Sequence, residues 1–217
     1  MRIRAKLLLL AGVPVAGLAV LVAVGWSGMK NTQALADDLG QGLRRVGDDF
    51  ASTQVLTQGL LHLAGAESAA ARAAVAEKAF MNEEDEERQA AIAQIHARSL
   101  DETGRDLEAL RDLCAADEEM RTLHQGCLDR LGVWQAQTCK VLALAQDVTV
   151  KTLLKQNAAT NSDKLFDVLR VSCGKLRERL DARVRKAATE AQGTVGAART
   201  GLQRLISESR SDLRIFI

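Results

Sequence analysis

Residues 120–145 read MRTLHQGCLDRLGVWQAQTCKVLALA. Within them Met120, His124, Cys127, Leu131, Trp134, Thr138, Val141 and Ala145 recur at alternating spacings of four and three. A helix of about 3.6 residues per turn brings all eight onto one face, the seam of a helical bundle or coiled coil. A strand would need alternation at every second residue, which is missing. Ala115-Ala116-Asp117-Glu118-Glu119 precedes the stretch. Asp117 is a good N-cap, and the two acids behind it complement the positive end of the helix dipole. The helix ends near Gln146, and Asp147 or Thr149 is placed to cap the next one.

The same period extends both ways. Upstream, a helix over about 84–114 has the seam Ile92, Ile95, Ser99, Thr103, Leu107, Leu110 and Cys114. The break before it is Asn82-Glu83-Glu84-Asp85-Glu86-Glu87, with Asn82 as its cap and an acidic first turn. Before that break one long helix covers Met29 to Met81, with the stripe Leu39, Leu43, Val46, Phe50, Leu60 and Ala64. Its five glycines each weaken it by up to about 1 kcal/mol relative to Ala, so tertiary packing must hold it. Downstream, a last helix runs to the end, with the seam Leu165, Leu169, Cys173, Leu176, Leu180, Val184, Ala187 and Ala191, then Val195, Ala198, Leu202 and Leu205.

The 217 residues contain one proline, Pro14, no tyrosine and 3% aromatics, so the class is all-α. Short connections force antiparallel neighbours. The architecture expected is an up-down-up-down antiparallel four-helix bundle whose long first and fourth helices form a two-helix stalk. A net charge of +1 gives no global pull toward nucleic acid. Four cysteines are too few for a disulfide scaffold.

Residues 7–26, LLLLAGVPVAGLAVLVAVGW, carry no charge. As a helix they span about 30 Å, the thickness of a bilayer core. Arg2, Arg4 and Lys6 precede them and Trp26 closes them, so the N-terminus is expected inside. A cleaved signal peptide would have a shorter core and a small-x-small exit, which Val24–Lys30 lacks. The expected organisation is a cytoplasmic basic tail over 1–6 and a transmembrane helix over 7–26 continuing into an extracytoplasmic bundle over 27–211. Residues 212–217, ending Arg214-Ile215-Phe216-Ile217, read as the start of a second membrane helix.

Three stretches carry a resemblance to a known family. Met1–Leu10 resembles the basic start into the first membrane helix of methyl-accepting chemotaxis receptors. Ala76–Asn82 with Glu86-Glu87-Arg88 resembles the first distal turn of their four-helix-bundle sensory region, and Leu142–Asp147 the second. The resemblance implies a sensor domain in the periplasm, anchored in the bacterial inner membrane. It implies a homodimer that binds a small ligand near the distal end and signals by displacement of the fourth helix. A second membrane helix, a HAMP linker and a signalling hairpin would follow, and cytoplasmic partners would be reached only through that part. Sensor regions of some membrane histidine kinases share the layout. A rival from another class is a structural or protein-interaction bundle with no small-molecule ligand.

Candidate binding residues follow from depth in the bundle. Arg72 on the first helix, and Lys151, Lys155, Asn157 and Thr160 on the fourth, offer cationic, amide and hydroxyl donors for a carboxylate such as an amino or organic acid. Arg72 with Thr160 or Asn157 is the preferred pairing. Ordinary solvated charges are the plain alternative. His62, His124, Cys127 and Cys173 fall at similar depth, yet core packing explains them better than a metal or haem, and no cofactor is expected. Cys127 and Cys173 can lie side by side on antiparallel helices, where an oxidising compartment would favour a disulfide. There is no catalytic constellation and no phosphate loop, and Gly193–Gly201 has no preceding strand to make it a dinucleotide fingerprint.

Overall fold

The computed structural model describes residues 31–147 and 149–215. The tail 1–6, the apolar segment 7–26, Phe216 and Ile217 lie outside the described residues. Among the described residues the protein is all-helical, and no helix is long and apolar enough to cross a membrane. The helices are α1 (Asn31–Asn82), α2 (Glu86–Glu108), α3 (Arg111–Ala115), α4 (Glu118–Gln146) and α5 (Thr152–Ile215). The chain divides into two compact units, one of Gln54–Arg185 and one of Met1–Thr53 with Lys186–Ile217.

In the Gln54–Arg185 unit, α4 buries Met120, His124, Cys127, Leu131, Trp134, Thr138 and Val141, seven of the eight seam positions. Asp117 caps it as expected, accepting from the Met120 N–H at 3.0 Å. That bond holds the Asp117 carboxyl below its ordinary range. Trp134 is fully covered and stacks at 5.1 Å on Phe166 of α5, a tilted pair worth about 0.5–1.5 kcal/mol beyond its buried area.

The other helices correct the sequence reading in detail. The cap of α2 is Asp85, which accepts from the Arg88 N–H at 2.9 Å, whereas Asn82 donates back to the Lys78 carbonyl. In α2, Ile95 is exposed and His96 takes the inward position instead. The helix expected to run unbroken to Cys114 stops at Ala109–Leu110. No Gly or Pro marks that break; a side chain inserted into the backbone ladder makes it. His124 Nε2 bonds the Leu107 carbonyl at 2.7 Å, and the Leu110 N–H turns to the same carbonyl at 3.1 Å. The offset lets Leu107, Leu110 and Cys114 all be fully buried. Neither Asp147 nor Thr149 caps α5, which starts at Thr152; Asp147 instead accepts from the Thr149 N–H at 2.8 Å in a local turn.

In α1 the stripe is one residue out of phase with expectation. Ala64 is exposed and Leu60 half-buried, while Leu56, Leu63, Ala66, Ala70, Ala73 and Phe80 form the core. Gly59 explains the rotation. It packs against the Leu113 and Leu110 side chains where a Cβ would force Leu113 to move. Turning Gly59 inward brings positions 56, 63 and 66 inward with it.

In the second unit, described side chains are half-buried at best. Leu43 and Val46 follow the expected stripe of α1, and Ala187, Ala191, Val195, Ala198 and Leu202 that of α5. Phe50 is 42% exposed, and Asp49 turns inward in its place to accept from Thr194 Oγ1 at 2.9 Å. The side chains of Leu39 and Leu205 lie outside those described.

Candidate functional site

Two features of the Gln54–Arg185 unit stand out against its apolar core. The first is a buried polar layer to which α1, α2, α4 and α5 each contribute. Position 77 continues the inward spacing of Ala66, Ala70 and Ala73, yet it carries Glu77, only 2% exposed. Thr138 and Ser162 both donate to Glu77 Oε2, Ser162 at 2.7 Å. Trp134 Nε1 donates to Ser162 Oγ at 3.2 Å, and His96 Nε2 lies 2.9 Å from Thr138 Oγ1. An indole N–H can only donate, so the Ser162 hydroxyl points its own proton at Glu77. The Thr138 proton is likewise spent on Glu77, so His96 must donate from Nε2. Two hydroxyls thus converge on one carboxylate oxygen, each backed by a ring N–H. Burial pushes the Glu77 carboxyl above its ordinary range, against the two hydroxyl bonds, and burial pushes His96 below its own.

The second feature is a cavity of about 410 Å³. Small side chains leave the space: Ala66, Ala70 and Ala71 on α1 and Gly174 on α5. A Cβ at Gly174 would meet nothing within 4 Å. Phe166 and Leu169 make an apolar wall, and Arg170 and Arg177 stand on the same α5 segment. Arg177 is ion-paired with Glu67 across from it, whereas Arg170 has no partner among the described residues. The volume falls in the range of small-molecule sites, about 300–1,000 Å³.

Cys173 also lines this cavity. It is a buried free thiol beside Cys127, as are Cys127 and Cys114 themselves in the core. The neighbouring Cys127 and burial together push the Cys173 thiol above the ordinary range. Burial pushes Cys114 up to about 11. The pair named from depth arithmetic is thus adjacent, as two free thiols.

Of the five residues chosen as ligand donors, Arg72, Lys155 and Thr160 hold partners of their own. Arg72 is ion-paired with Glu102 and donates to Ser68 Oγ at 3.2 Å. Lys155 Nζ donates to the Ala145 carbonyl at 2.9 Å, satisfying the end of α4. Thr160 Oγ1 bonds the Gln156 carbonyl at 2.9 Å within its own helix. Lys151 and Asn157 are exposed. None of the five lines the cavity. His62 is a surface residue 3.0 Å from Asp106 Oδ1, and His124 is spent on Leu107. Among the described residues no three His, Cys, Asp or Glu side chains are grouped to hold a metal.

Sequence reasoning passed over Glu77, His96, Ser162 and Arg170. A signal existed for two of them. Glu77 lies at core spacing from Ala73 and Phe80, and His96 lies three before Ser99. The cavity had a fainter signal in the alanines of α1 and the glycine of α5.

No protein-family model, no curated protein and no solved structure matches the chain.

Proposed function

We propose that the chain is the sensory input region of a transmembrane chemotaxis receptor. In this reading α1, α2 with α3, α4 and α5 form an up-down-up-down antiparallel four-helix bundle. The bundle lies in the periplasm as a homodimer, anchored in the inner membrane by residues 7–26. It binds a small ligand and passes the signal on by displacement of α5.

The observation that carries this reading is the cavity. Its walls come mainly from α1 and α5, the two helices that would lead toward the membrane. A ligand there touches both at once. It shifts their arrangement only by binding one arrangement more tightly than the other, and each 1.4 kcal/mol of difference is worth about tenfold in population. The buried polar layer is consistent with a bundle whose helix register matters, because polar groups at seam positions specify register. A histidine-kinase sensor region would use the same cavity.

The test is a thermal-shift and calorimetric screen of the purified chain against amino acids, organic acids and aromatic acids. At least one is expected to raise the midpoint with measurable heat. If none does, and the chain instead captures a protein partner, the interaction-bundle reading takes its place.

A further inference from the structure

The cavity's own chemistry narrows what it holds. Its charged lining residues are Glu67, Arg170 and Arg177, a local sum of +1. Glu67 and Arg177 are engaged with each other. Arg170 is left as the one lining cation without a partner among the described residues. The remaining lining residues are apolar or small, apart from Thr103 and the neutral Cys173 thiol. We propose that the cavity is a binding site for a monocarboxylate with a compact apolar body. The carboxylate sits on the Arg170 guanidinium, and the body lies against Phe166, Leu169 and Ala70.

Each alternative charge state meets an obstacle. An α-amino acid brings an ammonium group, and the sole lining carboxylate is already held by Arg177. A dicarboxylate brings a second anion with no second unengaged cation. A neutral amide forfeits the charge-assisted, two-point pairing that a guanidinium makes with a carboxylate. The floor of alanines and the bare Gly174 leave room for a flat ring or a branched chain. This proposal rests on reading the cavity as a ligand site.

Titration calorimetry on the full chain in mild detergent, with sodium benzoate as probe, tests it. Benzamide and L-phenylalanine serve as neutral and zwitterionic comparators of similar shape. Benzoate is expected to bind at least about tenfold more tightly than either, and Arg170→Gln to weaken it by about 10- to 100-fold. Gly174→Leu places a branched side chain on a cavity-lining position whose Cβ would meet nothing within 4 Å, and should abolish binding. Both variants should keep the helical circular dichroism of the parent chain. Benzamide binding as tightly as benzoate, or Arg170→Gln binding benzoate unchanged, overturns the carboxylate assignment and leaves the cavity as a site for another ligand class. If Gly174→Leu binds as the parent does, the ligand sits elsewhere. Silence from all three probes overturns the carboxylate assignment, and silence across the wider screen removes the ligand-site reading with it.

Discussion

Glu77 occupies a position where an alanine or leucine would pack, and its carboxylate is held by hydroxyls from α4 and α5. Its raised pKa means that the folded state prefers the protonated form more than the unfolded chain does. The sign follows from linkage: stability is fully present below the ordinary glutamate pKa and is lost as pH rises through the raised one. His96 acts in the opposite direction. Its lowered pKa means that stability is present above the ordinary histidine value and is lost as pH falls through the range just below it. Thermal melts across pH 4–8, of the order of these ordinary values, separate the two. Glu77→Gln should remove the loss on the rising side and His96→Gln the loss on the falling side. Identical pH profiles for parent and both variants would contradict the assignment of either group to the buried layer.

At the scale of the helix, α4 was legible almost completely, because eight seam residues in unbroken four-three spacing leave one choice of face. In α1 the alanines are so frequent that several stripes fit. Gly59 decided among them by a contact with α3 that no local pattern contains. In α2, Ile95 drew the face toward itself by hydropathy, and His96 won it through a hydrogen bond to Thr138 that only the folded protein provides. The break at Ala109–Leu110 was invisible for the same reason, since His124 makes it from another helix. The ligand donors were chosen by depth and donor chemistry, and neither says which charges are already paired. The phase of α1 is open to direct test by urea unfolding. Leu63→Ala, at a fully buried site, should cost about 2–5 kcal/mol. Leu61→Ser, at a site 68% exposed, should stay within about 0.5 kcal/mol. The reverse order would mean that the helix is turned the other way.

At the scale of the molecule, the account depends on one mechanical idea. In the proposed function, occupancy of the cavity changes how α5 lies against α1 within the Gln54–Arg185 unit. The cavity's small lining residues, Ala66, Ala70, Ala71 and Gly174, leave room for such a change, while Phe166 on its wall is held by Trp134 of α4. Val75 on α1 and Val171 on α5 are exposed, at 68% and 60%, and can carry nitroxide labels without touching the core. Exposed Cys139 would be changed to Ser, and the three buried cysteines would stay unlabelled. The decisive measurement is the pulsed electron–electron distance between these labels, in labelled chain diluted with unlabelled chain, with and without saturating benzoate. The account predicts a displaced or reweighted distance distribution on binding, absent in Gly174→Leu. An unchanged distribution in a sample whose calorimetry shows full occupancy would contradict it.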